Sequence, residues 1–165
     1  RAKWEEFDLD AATWKIPGKR MKGRTMNPHF LPLPSQAVEL LRRLQAVTGD
    51  SEYLFPNRSD SKRPAAVTLL NKAVSKMGYA GKFSPHAIRN TGSTRLNEMG
   101  WNGDWIERQL AHRHTNETRA TYNGALYLEP RRDMMQQWAN YLDALRNGGN
   151  VVSLNRKAFS KGVTP

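Results

Sequence analysis

Ser84-Pro85-His86-Ala87-Ile88-Arg89-Asn90-Thr91-Gly92-Ser93-Thr94-Arg95-Leu96-Asn97-Glu98-Met99-Gly100 reads as one complete helix. Ser84 offers a side-chain oxygen to an orphan N–H of the first turn, and Pro85 fits where its missing N–H costs nothing. Gly100 supplies the stop. The helix runs through Ile88 and Leu96 to Met99, and His86 and Arg89 fall together in its first turn. Directly downstream, Asn102-Gly103-Asp104 opens a shorter helix with Trp105, Ile106 and Leu110 inward, and that helix leads into Ala111-His112-Arg113-His114.

Outward from this pair, a further short helix is predicted over 117–123. The longest begins at Leu128-Glu129-Pro130, with Met134, Met135, Trp138, Leu142 and Leu145 as its apolar face and Gly148-Gly149 as its end. Upstream, Pro34-Ser35 opens a helix whose core stripe is Val38, Leu41, Leu44 and Val47, closing at Thr48-Gly49. A loop over 50–64, pinned by Tyr53-Leu54-Phe55, separates it from a helix over 67–77 that stops at Gly78. Two β-branched and aromatic runs, 13–16 and 29–33, flank the cationic Pro17-Gly18-Lys19-Arg20-Met21-Lys22-Gly23-Arg24 and predict a hairpin with a long basic loop. Residues 1–7 read as the last turns of a helix, with Trp4 and Phe7 on one face. The expected class is α+β, mainly α-helical, with a small antiparallel β-sheet.

At 165 residues the chain fits one domain, and its 38% hydrophobic content suffices for one core. Twenty-six Lys and Arg against 15 Asp and Glu leave a net charge of +11. That excess points to a polyanion, with nucleic acid first. The charge is segmental, because no acid occurs between Ala11 and Val38 or between Ser61 and Asn97. No apolar run approaches a bilayer span and no signal-peptide pattern opens the chain, so no membrane association is expected. Zero Cys removes disulfides and thiolate chemistry and fits the cytoplasm.

The side chains that carry chemistry are His86, Arg89, His112, Tyr122 and a lysine of the hairpin loop, Lys22. A phenol with a pKa near ~10 needs a base or nearby cations to become a nucleophile, and histidine accepts its proton. A guanidinium matches two non-bridging oxygens of a phosphate at once. A lysine held among cations gives up a proton more readily than a free one. The inventory suits attack on a phosphodiester with no cofactor. Three members have a rival, Lys19 and Arg20 beside Lys22, His114 beside His112 and Tyr127 beside Tyr122; taken alone, His86 and Arg89 also read as a solvated helix face and Tyr122 as a core tyrosine of the kind expected at Tyr141. A metal site on the two histidines is disfavoured, because no carboxylate or Cys sits at ligand spacing nearby.

These residues resemble the tyrosine recombinase family, in particular phage and genomic-island integrases. The resemblance rests on Ser-Pro-His86-Ala-Ile-Arg89, Gln-Leu-Ala-His112, Arg-Ala-Thr-Tyr122-Asn, Met-Lys22 ahead of His-Phe-Leu-Pro-Leu, Trp-Glu-Glu-Phe-Asp-Leu-Asp near the start, and Glu-Pro-Arg-Arg-Asp-Met-Met-Gln-Gln-Trp after Tyr122. The family carries Leu-Gly-His or Leu-Ala-His at the second of these places. What the resemblance implies is the recombinase catalytic-domain fold over 1–147 with a basic tail at 148–165. It implies a reaction in which Tyr122 is the nucleophile, Lys22 the general acid, His86 an aid to proton removal, and Arg89 and His112 stabilisers of the transition state.

Duplex DNA at attachment sites is the expected partner, contacted through Lys19, Arg20, Arg24, Arg95 and Arg113 by a homotetramer, with a DNA-bending accessory protein as a further possible partner. The family's first arginine, in a Thr-Gly-x-Arg segment, is expected ahead of the stretch that matches Arg1, together with the separate DNA-binding domains. Residues 1–165 alone are therefore expected to give almost no covalent product. A catalytically inactive DNA-binding regulator on the same fold is the alternative, and a metal-dependent nuclease a third.

Overall fold

Thr13-Trp14-Lys15-Ile16 and His29-Phe30-Leu31-Pro32 form the two long strands of a three-stranded antiparallel sheet in a computed structural model that describes residues 1–21, 27–82, 84–111 and 127–149. The strands are β1 (Phe7–Asp8), β2 (Thr13–Ile16) and β3 (His29–Pro32), in the order β1-β2-β3. Phe7 lies opposite Trp14, Trp14 opposite Leu31, and Ile16 opposite His29. The Phe7 and Trp14 rings stack with centroids 5.0 Å apart, the kind of cross-strand aromatic pair that fixes register.

Residues 1–7 are not the end of a helix. Trp4–Glu6 is a single 3-10 turn between Lys3, which bridges to Tyr53, and β1. The Trp4 N–H donates to the Glu52 carbonyl at 3.0 Å and the Leu54 N–H to the Ala2 carbonyl at 3.1 Å. Backbone donors and acceptors spent on this distant partner cannot serve a helical ladder. Of the three aromatic and aliphatic residues of the 50–64 loop, Leu54 alone is buried.

Five helices follow among the described residues: α1 (Ser35–Thr48), α2 (Leu69–Val74), α3 (Pro85–Glu98), α4 (Gly103–Gln109) and α5 (Leu128–Arg146). The helix expected over 117–123, and the tail from residue 150 onward, lie outside the described residues. In α2 the chain widens after Val74 into a turn over Ser75–Tyr79, where Gly78 takes φ 86°.

The main core lies where α3, α4 and α5 meet. Leu96, Ile106 and Met134 are buried, and Met99, Trp101, Trp105, Leu110, Met135 and Trp138 pack against them. Truncating Ile106 or Met134 to Ala costs about 2–5 kcal/mol at such sites. The predicted stripe on α1 is only partly core: Val38, Leu41 and Leu44 are half-buried, and Val47 is 80% exposed. Likewise Leu142 and Leu145 on α5 are exposed. The physical reason is that α1 and the end of α5 meet through polar side chains. Gln136 Oε1 accepts from the Ser35 N–H at 2.9 Å, taking the place of a local cap on α1, and Gln36 Nε2 donates to Asn140 Oδ1 (3.0 Å) and Asp143 Oδ2 (2.9 Å).

Candidate active site

The first turn of α3 is built as its sequence predicts. The Ser84 hydroxyl accepts from the Ala87 N–H at 3.3 Å, leaving other first-turn N–H groups directed outward where an anion is favoured. His86 is exposed on this turn, and Arg89, three residues further along, is half-buried. Arg89 Nη2 donates to the Leu110 carbonyl, so the guanidinium ties the start of α3 to the exit of α4. At its own start α4 is capped by Asn102, whose Oδ1 accepts from the Asp104 N–H at 2.8 Å.

Past Leu110 the chain turns sharply. Ala111 takes φ 52°, in the left-handed region, and the next residue in sequence is His112. Tyr127, the residue that precedes α5, takes φ 57°. An L-residue there costs about 1–2 kcal/mol, so both boundaries of the stretch that contains His112 and Tyr122 are strained.

The basic hairpin divides its charges. Lys19 is exposed. Arg20 Nη2 pairs with Glu6 Oε2 at 2.8 Å, and its Nη1 donates to the Arg1 carbonyl at 2.5 Å. Glu6 is buried, and its Oε2 also accepts from Trp14 Nε1 at 3.0 Å, so Arg20 neutralises a carboxylate inside the sheet end of the molecule. Arg95, exposed on α3, pairs with Glu98 at 2.6 Å. Tyr141 stacks on Trp138 with centroids 5.5 Å apart, a packing role. Lys22, Arg24, His112, Arg113, His114 and Tyr122 lie outside the described residues. Among the described residues, no three His, Asp or Glu side chains gather at metal-binding distance, and no helix is long and apolar enough to cross a membrane.

A second cluster was not anticipated from sequence. Arg131 on α5 is fully buried; its Nη2 donates to the Phe30 carbonyl on β3 at 2.9 Å and its Nη1 to Gln109 Oε1 at the end of α4 at 3.2 Å. Burial, with help from the neighbouring Arg108 charge, lowers the guanidinium to about 10. His29, the first residue of β3, is buried beside it and pushed down to about 4 by burial and by the Arg108 and Arg131 charges, against a hydrogen bond to the Gln109 backbone. The signal was present: position 131 stands three, four and seven residues before Met134, Met135 and Trp138, on the inward face of the helix.

A capped helix start, the arginine tie and a strained chain exit thus stand together in a mainly helical α+β domain with a three-stranded antiparallel sheet. The chain belongs to the phage integrase family, whose sequence pattern matches residues 1–129. It is 40% identical over 153 residues to prophage integrase IntA of Escherichia coli strain K12, a match covering 92% of this chain and 36% of that protein. It is 42% identical over 152 residues to prophage integrase IntZ of the same organism, covering 91% of this chain and 37% of that one. The integrase of Enterobacteria phage P4 is 40% identical over 160 residues, covering 88% of this chain and 36% of that protein. The chain thus spans little more than a third of the length of these relatives. No solved structure gives a significant match.

Proposed function

We propose that the chain is the catalytic domain of a site-specific DNA recombinase that integrates or excises a mobile element. The carrying observation is the tie from Arg89 to the Leu110 carbonyl, which puts a fixed guanidinium beside the point where the chain leaves for His112. Similarity to three proteins named integrases supports the same reading.

In the proposed reaction Tyr122 Oη attacks the scissile phosphorus, and the bond from phosphorus to the 5′ oxygen breaks. The products are a 3′-phosphotyrosyl ester and a 5′-hydroxyl. The phenolic proton passes to His86, and the leaving oxygen takes its proton from Lys22. Arg89 and His112 hold the non-bridging oxygens as charge builds on them, aided by the N-terminal end of α3. The 5′-hydroxyl of a partner strand then attacks the ester and restores the phosphodiester, so the bond energy is kept.

Duplex DNA at attachment sites is the proposed substrate, with Lys19, Arg20, Arg24, Arg95 and Arg113 on its phosphates. A homotetramer on DNA in the cytoplasm, with a DNA-bending partner, completes the proposal, along with the division into a catalytic domain at 1–147 and a basic tail at 148–165.

The test uses the protein as encoded by its gene and nicked duplexes tiled across the DNA flanking that gene. A detergent-resistant adduct that maps to Tyr122 and is lost in Tyr122→Phe supports the proposal. Binding with no adduct points to the inactive regulator, and cleavage abolished by EDTA to a nuclease; either result overturns it.

A further inference from the structure

We propose that Arg131 is a positioning residue for strand cleavage, holding β3, the exit of α4 and the start of α5 in one fixed arrangement. Each of these elements adjoins a stretch of sequence that carries a proposed catalytic side chain. β3 follows the loop containing Lys22, α4 leads into His112, and α5 follows Tyr122. The inference rests on the recombinase reading.

The geometry is specific to a guanidinium. From one side chain on the first turn of α5, Nη2 reaches a main-chain carbonyl of β3 and Nη1 reaches the Gln109 amide oxygen at the end of α4. A lysine is a single point donor on a flexible stem, whereas arginine's planar fork holds two partners in fixed relation. Both acceptors are neutral, and Arg131 is fully buried with Arg108 and the His29 ring close by. Burying a cation this way is unfavourable, and an apolar side chain of similar volume commonly gives equal or greater stability. What the arginine adds is a defined relation among three segments that packing alone would leave looser. His29 contributes to the same junction, since its ring is hydrogen-bonded to the Gln109 backbone.

Misplacement by as little as 1 Å costs an enzymatic step up to about 10²-fold. Arg131→Met and Arg131→Lys are therefore expected to slow adduct formation at saturating DNA by about 10- to 100-fold, Met more than Lys, while leaving equilibrium DNA binding within about threefold. Both quantities are read below the onset of thermal unfolding of each variant, so a loss of folded protein does not enter the rate. Gln109 gives an independent handle should Arg131 variants fail to fold. Gln109→Leu removes the α4 arm and is expected to slow the step about tenfold, whereas Gln109→Glu keeps an acceptor for Nη1 and is expected to restore it to within about threefold. A merely structural role predicts no such recovery pattern.

Folded variants that form adduct as fast as the parent protein overturn the proposal, as do variants whose adduct loss merely follows lost DNA binding. If the parent protein forms no adduct, the recombinase reading itself falls and this proposal falls with it. If the parent traps DNA and the variants trap it equally, only the role of Arg131 is refuted.

Discussion

Arg89 donates to the backbone carbonyl of Leu110, and this single bond joins the first turn of α3 to the exit of α4. The same guanidinium carries the charge proposed for the phosphate. One side chain thus has a packing duty and a chemical one, and substitutions separate them. Arg89→Lys keeps the charge and loses the fork; adduct formation should fall about 10²–10³-fold, the usual cost of one preorganised donor, with DNA affinity falling less than about tenfold. Arg89→Ala should add a stability loss of about 1–2 kcal/mol from the orphaned Leu110 carbonyl. Urea unfolding beside single-turnover trapping checks both; equal losses in binding and cleavage would refute the division.

Ala111 and its left-handed backbone give a stability prediction that needs no DNA. Its side chain is exposed, so substitutions there act through backbone conformation. Glycine removes about 1–2 kcal/mol of strain and returns part of it as unfolded-state entropy. Ala111→Gly should therefore gain about 0.5–1 kcal/mol, and Ala111→Val should lose at least about 1 kcal/mol because a β-branched side chain fits this region worst. Thermal unfolding measures the order Gly, Ala, Val.

His29 makes the protein sensitive to acid. Its folded value of about 4 lies below the ordinary value of 6.5, so between these pH values the unfolded chain binds the proton and the folded chain does not. Stability therefore falls as pH drops from 6.5 to 4, by about 3 kcal/mol from this group, and is unaffected by it above pH 7. His29→Gln should flatten that part of the profile whatever it does to stability at pH 7. Urea unfolding at pH 7, 5.5 and 4 reads the slope; identical acid slopes for parent and variant would show that the imidazole is not the group titrating.

The start and stop of α3 were legible because Ser84, Pro85 and Gly100 act within a turn of themselves, and α4 was legible through Asn102 for the same reason. Residues 1–7 misled because their backbone partners, residues 52–54, are remote in sequence. Periodicity marks a face without saying what covers it, which is why Val47, Leu142 and Leu145 read as core and stand in solvent. Arg131 holds an inward position in the helical period of α5, but a charged side chain reads as solvent-facing until the acceptors on β3 and α4 are known. Of the candidate site, the pairing of His86 with Arg89 lay within one helical turn. The crossing that brings Arg89 to Leu110 is tertiary and left no local trace.

Lys19 and Arg20 are neighbours in the hairpin, yet the structure gives them different work, and the difference sets the last prediction. Arg20 spends donors on Glu6 and the Arg1 carbonyl, whereas Lys19 is exposed. Among the described residues, removing Arg20 leaves the buried carboxylate with Trp14 as its side-chain donor, at a cost of about 2 kcal/mol once the partial exposure of Arg20 is allowed for. Arg20→Ala should therefore lower the unfolding midpoint. Lys19→Ala should leave stability within about 0.5 kcal/mol, as surface substitutions do. On DNA the order reverses. Each phosphate neutralised contributes about 0.9 to the slope of log affinity against log salt, so Lys19→Ala should reduce that slope by about one and Arg20→Ala by less. Unfolding curves and salt titrations on one duplex give both numbers. If Arg20→Ala proves fully stable and takes a whole unit from the slope, then the guanidinium leaves Glu6 for a phosphate when DNA binds.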